Sequence, residues 1–233
     1  MFRITFSKSN VKRFQQELGK LKEQLLKMGG LAERAISNAI DALVKRDTPL
    51  AEKTVGEDEK INKMELLIDE WCLKLLALHQ PLAADLRFIT SAMRINVELE
   101  RIGDLAVNIA ERVVSLNQES QLKPYIDIPR MAEITKNMVK DVLDAFVNGD
   151  ADLARGVCQR DDQVDALNDQ VFRELITYML ADPKTITRAV HLIIVSRYLE
   201  RIADHATNIA EGVIFMVKAR VIKHHAYRKQ EDA

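Results

Sequence analysis

The sequence is poor in the residues that interrupt helices or favour β-sheets. Among 233 residues it has 8 glycines and 5 prolines, and aromatic residues make up only 5%. Sheet-rich proteins use β-branched and aromatic residues in their strands and glycine in their turns. Runs of Ala, Leu, Glu, Lys and Arg favour helices instead. We therefore expect an all-α fold.

Cysteine is also scarce, and long apolar runs are absent. Cys72 and Cys158 form no close pair, which excludes a disulfide framework and is typical of a reducing cytosol. The N-terminus lacks the apolar core of a signal peptide. Apolar runs such as residues 192–195 are too short to span a bilayer. We interpret His191, which directly precedes this run, as a packed residue. We expect a cytoplasmic protein whose association with a membrane is through a partner or the membrane surface.

Neither sign of charge dominates, since the formal net charge is −1. This balance gives no reason to expect nucleic-acid binding. Only the C-terminal end is basic, and we interpret it as a solvated tail, with contact to acidic lipid or an acidic partner as the alternative. The sequence has no P-loop, no G-x-S-x-G elbow and no Glu-x-x-His pair. We therefore expect no enzymatic activity.

One stretch occurs twice, at residues 99–113 and 199–213, with eleven of fifteen positions identical. Repetition of this kind indicates two copies of one structural unit. On a helix, Glu100, Asp104 and Asn108 fall on one narrow polar face opposite an apolar face. Glu200, Asp204 and Asn208 repeat that arrangement, so both copies predict the same amphipathic helix.

Each polar face lacks the alternating charges of an ordinary solvated helix. Glu100 is followed four residues later by Asp104, and Glu200 by Asp204. Like charges at this spacing destabilise a helix by a few tenths of a kcal/mol. We expect a cation or a basic partner surface to oppose them. The alternative is an exposed acidic face inherited by duplication.

The preceding helix of each copy carries a second polar face. Its members lie at i, i+4, i+7 and i+11: Asp58, Asn62, Glu65 and Asp69 in the first copy, and Asp161, Asp165, Asn168 and Phe172 in the second. If the two helices of a copy are neighbours, the faces converge. Carboxylate and amide oxygens suit hard cations such as magnesium, calcium, manganese or iron. Zinc with soft ligands fits poorly, because neither cysteine is near and only His205 adjoins a face.

The periodicity divides the chain into two similar halves. We expect a first three-helix bundle over residues 1–116, a linker over 117–130, a second bundle over 131–223 and a polar tail over 224–233. The predicted helices cover about 11–44, 47–78 and 82–116 in the first half, and 131–147, 150–181 and 183–221 in the second. The first helix continues through Gly29 and Gly30, which mark a bend or a close approach by another backbone.

Several motifs resemble the PhoU family of bacterial phosphate-signalling regulators. They are the paired E-R-I-x-D-x-x-x-N-I strings at Glu100 and Glu200, K-M-G-G-L at 27–31, Q-P-x-x-x-D-L-R at 80–87 and T-Y-M at 177–179. The resemblance covers about 14–218. It implies two three-helix bundles related by a pseudo-twofold axis, a homodimer, and a non-enzymatic cytoplasmic regulator. Such regulators link the ATPase of the phosphate ABC transporter to a sensor histidine kinase and repress phosphate-starvation genes.

The resemblance also implies metal ions on the E/D-x-x-x-D strings, with iron, manganese, magnesium and zinc as candidates. Carried over by position, the ligands are Glu100, Asp104, Glu200 and Asp204, with Asp58 and Asp161 as additional ones. The neighbouring oxygens complete the candidate set: Asn62, Asn108, Asp165 and Asn208. The main hypothesis is thus a metal-binding adaptor. The alternatives are a metal-storage protein and a redox enzyme with a carboxylate-bridged metal centre.

Overall fold

A computed structural model describes the backbone of residues 8–219 and the side chains of residues 12–219. In this range the chain forms helices and no β-strand, which confirms the all-α prediction. The helices are α1 (Lys8–Lys45), α2 (Thr48–Gly56), α3 (Asp58–His79), α4 (Ala83–Leu116), α5 (Asp127–Asn148), α6 (Ala151–Ala181) and α7 (Ile186–Lys218), with a 3-10 turn at Pro183–Thr185.

The helices form two three-helix bundles that share one hydrophobic core. In the first bundle α2 and α3 together act as the middle helix between α1 and α4, and in the second α6 lies between α5 and α7. The bundles pack through α4 against α7 and through α1 against α5. The predicted architecture of two tandem three-helix units is confirmed. Within residues 8–219, no helix combines the length and apolar character needed to cross a membrane.

Equivalent aspartates start the middle helix of each bundle. Asp47 Oδ1 accepts a hydrogen bond from the Leu50 amide at 3.0 Å, and Asp150 Oδ1 accepts from the amides of Asp152 and Leu153 at 2.9 Å. These carboxylates satisfy amides that have no partner within the helix. Asp47 and Asp150 therefore cap equivalent helices in the two bundles.

Some predicted helix boundaries were wrong. The helix predicted over 47–78 is broken at Glu57, directly after the poor helix former Gly56. The linker predicted to end at 130 ends at Ile126, because Pro129 lies in the first turn of α5, where proline is tolerated rather than disruptive. The last helix ends at Lys218, and the predicted tail over 224–233 lies outside the described residues.

Gly29 allows α5 to approach α1 closely. A Cβ atom at this position would lie 2.0 Å from Leu143 Cδ1, whereas at Gly30 it would meet only Arg34 Nη1, at 3.5 Å. Leu143 belongs to the second bundle and is 2% exposed, so its side chain has little room to move. The helix is continuous across both glycines, as predicted. The close approach involves a side chain of the other bundle rather than its backbone.

We expect Gly29→Ala and Gly30→Ala to have opposite effects on stability. Alanine gains roughly 1 kcal/mol of helix propensity at either position. At Gly29 the displacement of Leu143 should cost about 1–3 kcal/mol, as in other overpacked cores. Urea unfolding should therefore show Gly30→Ala to be more stable than wild type and Gly29→Ala to be less stable. Equal gains for the two variants would contradict the close packing of α1 on α5.

Candidate functional site

The first carboxylate face consists of Asp58 and Asn62 on α3 and Glu100 and Asp104 on α4. The two helices pack together, so the predicted convergence occurs. Burial raises the pKa of Glu100, and Asp104 raises it further, with smaller contributions from Glu65 and Asp58. Burial also raises the pKa of Asp104, again with Asp58 contributing. Repulsion between carboxylates on the two helices places them in one electrostatic cluster.

Hydrogen bonding within this face leaves acceptor oxygens without a donor. Asn62 Nδ2 donates to Asp58 Oδ2 at 2.8 Å. Asp58 Oδ1 and Asn62 Oδ1 are buried and have no hydrogen-bond partner in the described part of the chain. Buried oxygens of this kind cost free energy unless a donor or a cation satisfies them.

The second carboxylate face consists of Asp161 and Asp165 on α6 and Glu200 and Asp204 on α7, which also pack together. Asp161 is only 4% exposed, and its Oδ1 atom has no hydrogen-bond partner within residues 12–219. Burial raises the pKa of Asp161 to about 7, with Asp165, Asp204 and Glu200 among the carboxylates that raise it further. The pKa of Glu200 is raised by burial. Both bundles therefore bring carboxylates from two helices together.

Arginines lie only at the edges of these faces. Arg101 Nε is 3.5 Å from Glu100 Oε2, but the Arg101 side chain is 57% exposed. Arg197 Nε is 3.9 Å from Glu200 Oε2, with its side chain 67% exposed. Exposed ion pairs are weak because water screens them. The raised pKa values of Glu100 and Glu200 show that burial and carboxylate repulsion outweigh these arginines.

The remaining predicted ligands are less tightly associated with the faces. Asn108 is half-buried, one turn beyond Asp104. Asn208 is exposed, and its Nδ2 donates to Glu98 Oε2 at 3.2 Å. His205 Nδ1 lies 2.6 Å from the same oxygen. Because Glu98 belongs to α4, His205 and Asn208 connect α7 to the first bundle.

Helical spacing alone does not reveal a pair of contacts that align the helices behind each face. Asn96 Nδ2 donates to the Glu65 carbonyl oxygen at 2.8 Å, and Ser196 Oγ donates to Asn168 Oδ1 at 2.8 Å. Asn96 and Ser196 occupy equivalent positions in the two copies, as do Glu65 and Asn168. A polar residue at the same place on the buried side of both repeated helices was the signal for this contact.

The donor set fits a hard cation, although no metal geometry is preformed. Among the described residues, no three Asp, Glu, His or Cys side chains are arranged to hold a metal ion. The orphaned oxygens are nevertheless the ligand type that magnesium, manganese and iron accept. Soft coordination is disfavoured because both thiols are buried, which raises the pKa values of Cys72 and Cys158 to about 12.

Comparisons with known proteins agree with the repeated architecture. A family model described as the PhoU domain matches residues 25–113 and 128–213. A protein of Aquifex aeolicus called phosphate-specific transport system accessory protein PhoU homolog is 45% identical over 93% of this chain and 98% of its own length.

Solved structures are similar as well. The crystal structure of PhoU from Pseudomonas aeruginosa has a TM-score of 0.85 and 43% identity, covering 89% of this chain and 100% of that one. The phosphate transport system regulatory protein PhoU from Streptococcus pneumoniae has a TM-score of 0.83 and 30% identity, covering 91% and 100%. With both bundles matched by the domain model, the chain belongs to the PhoU family.

Proposed function

We propose that this protein is a regulatory accessory protein of a phosphate-specific transport system. Relatives that span nearly its whole length carry that description in their names. In this role it acts as a non-enzymatic adaptor between the transporter ATPase subunit and a sensor histidine kinase, and it keeps phosphate-starvation signalling off when phosphate is plentiful. It works in the cytoplasm as a homodimer, at the inner membrane through its partners.

The observation that supports this proposal is the pair of carboxylate faces. Each bundle gathers acidic side chains from two helices, and in each the pKa values of carboxyl groups are raised. Keeping such groups together destabilises the protein unless a positive charge opposes them. Repetition of the arrangement in both bundles supports a binding role over chance.

The proposed binding partners of the faces are hard divalent cations. Glu100 and Asp104 with Asp58 would hold a cation in the first bundle, and Glu200 and Asp204 with Asp161 in the second. A bound cation supplies positive charge, which favours the ionised carboxylates and ties each α3–α4 or α6–α7 pair together. Cation occupancy would thus set the charge and rigidity of the surfaces that face the transporter and the kinase.

The test is binding to the purified transporter ATPase subunit and the purified kinase, with manganese present and after chelation. The face variant carries four isosteric changes: Glu100→Gln, Asp104→Asn, Glu200→Gln and Asp204→Asn. The control variant removes the same charge from four exposed carboxylates that form ion pairs with basic side chains: Glu59→Gln, Glu70→Gln, Asp152→Asn and Asp169→Asn.

We expect the wild type and the control variant to bind both partners more tightly with manganese than after chelation. The face variant should bind both partners with the weaker affinity that wild type shows after chelation, whether or not manganese is present, because it cannot bind the cation. Binding that neither manganese nor the face variant alters would contradict the cation-dependent adaptor. Binding of manganese without binding of either partner would favour the metal-storage alternative.

A further inference from the structure

Three buried nitrogen atoms without hydrogen-bond partners lie at one end of the α4–α7 contact. Within residues 12–219, nine buried side-chain polar atoms lack a partner, and the nitrogens among them are Arg112 Nε, Arg188 Nε and His191 Nδ1. The other six are oxygens, three of which belong to the carboxylate faces. Half of the unpaired oxygens thus belong to the faces, whereas all three unpaired nitrogens belong to a separate cluster.

The cluster forms where the end of α4 meets the beginning of α7. Arg112 lies in the last turns of α4, and Arg188 and His191 lie in the first turns of α7. The linker crosses the same place, since Arg188 Nη1 donates to the Ser120 carbonyl oxygen at 3.0 Å and to Ser120 Oγ at 3.1 Å. These bonds fix the Arg188 guanidinium without engaging its Nε atom.

The surroundings are cationic. Burial lowers the pKa of His191 and the nearby Arg112 lowers it further, while Glu119 opposes them. Glu119 Oε2 lies 3.4 Å from Arg188 Nε without completing a hydrogen bond, and Glu119 is 47% exposed. A third arginine, Arg46, donates to the Asn117 carbonyl oxygen at 3.0 Å beside the same linker. Arg46 therefore adds a third arginine beside the linker, and the nearby Glu119 carboxylate is half-exposed.

Buried polar atoms without hydrogen-bond partners are costly, and those of cationic groups such as Arg112 and Arg188 more so. A tetrahedral oxyanion can bind several donors at once, because each of its oxygens accepts hydrogen bonds. Guanidinium groups bind such an anion through two parallel hydrogen bonds. We propose that Arg112, Arg188 and His191 form a binding site for a phosphate-like oxyanion at the α4–α7 junction.

The other end of the α4–α7 contact shows that this site is not a consequence of the repeat. At the equivalent positions the second copy has Gly212 for Arg112, and the first copy has Phe88 and Ser91 for Arg188 and His191. The arginine nearest that other junction, Arg87, donates its Nε proton to the Met216 carbonyl oxygen at 3.1 Å and is therefore satisfied. One oxyanion site per chain is expected.

The test is calorimetric titration of the full chain with inorganic phosphate, and separately with glycerol 3-phosphate, in the presence of a chelator. The chelator prevents phosphate from binding to a metal held by the carboxylate faces. The site variants are Arg112→Gln and His191→Asn. Arg112→Lys keeps the charge but loses the two-pronged guanidinium geometry. This variant is used in place of Arg112→Gln if Arg112→Gln does not fold. The control is Arg173→Gln, because the Arg173 side chain is 79% exposed and ion-paired with Asp169.

We expect saturable one-to-one binding of at least one of the two ligands, weakened roughly 10- to 100-fold by Arg112→Gln or His191→Asn and unchanged by Arg173→Gln. Tighter binding of inorganic phosphate indicates a site for the free ion, and tighter binding of glycerol 3-phosphate indicates a site for a phosphomonoester group. Absence of saturable binding, or equal affinity in wild type and both site variants, would overturn the proposal. That result would leave the cation proposal intact, because the faces are unchanged in these variants.

Discussion

Asp161→Asn should make the cation-free protein more stable at pH 8, although it removes a proposed cation ligand. Asp161 is 4% exposed, and burial together with neighbouring carboxylates raises its pKa from 3.8 to about 7. A difference of that size corresponds to roughly 4 kcal/mol between the two protonation states. Asparagine keeps the shape of the side chain and abolishes the charge, so we expect a gain of about 2–4 kcal/mol in the free energy of unfolding.

The gain should depend on pH in a defined direction. Because folding raises the pKa of Asp161, the unfolded chain releases this proton at a lower pH than the folded chain does. The Asp161 contribution to wild-type stability is therefore lost as pH rises from about 4 to about 7, the interval between the two pKa values. The advantage of Asp161→Asn should be near zero below pH 4 and constant above pH 7.

Urea unfolding of chelated protein across this pH range measures the effect. The control is Asp169→Asn on the same helix, whose side chain is 72% exposed and ion-paired with Arg173; its stability should stay within about 0.5 kcal/mol of wild type. Added manganese should stabilise wild type and reduce the advantage of Asp161→Asn, since a cation binds the ionised carboxylate. An Asp161→Asn variant less stable than wild type at pH 8 would disprove an uncompensated charge at Asp161.

The carboxylate faces were predictable from the sequence because their information is local. The spacing of Glu100 and Asp104, repeated at Glu200 and Asp204, places like charges on one side of a helix whatever the helix packs against. The convergence with Asp58 and Asp161 needed one further assumption, that the two helices of each copy are neighbours. Short connections between consecutive helices make that assumption a good one, and the structure confirms it.

Other features depend on contacts between the bundles and were not predictable from helical spacing. His205 was noted only as the histidine that adjoins a polar face. Its contact with Glu98 exists because α7 packs on α4, far away in the sequence. The oxyanion cluster was missed for the same reason, and His191 was interpreted as a packed residue. The sequence signal for this cluster was a difference between the two copies, such as Arg112 in one and Gly212 in the other. Helical spacing alone does not consider such differences.

The wrong helix boundaries have a local cause. The effect of a glycine or a proline on a helix depends on where in the helix it lies, and the sequence alone does not specify that place. Gly56 is followed by a break at Glu57, whereas α1, which packs against α3, α4 and α5, is continuous across Gly29 and Gly30. Pro129 starts a helix rather than ending one. Tertiary packing decides between these outcomes.

The proposed regulator depends on carboxylate faces whose mutual repulsion is relieved by bound cations. Elemental analysis of protein purified without chelator tests this directly, with the face variant and its control compared at equal concentration. The face variant carries isosteric changes at Glu100, Asp104, Glu200 and Asp204, and the control loses the same number of charges from exposed ion pairs.

We expect wild type and the control variant to carry at least one divalent cation on each face, and the face variant to carry none. Circular dichroism should show the same helix content in all three proteins. Metal-free wild type that also fails to take up manganese, magnesium or iron on titration would contradict the account. So would equal metal content in wild type and the folded face variant.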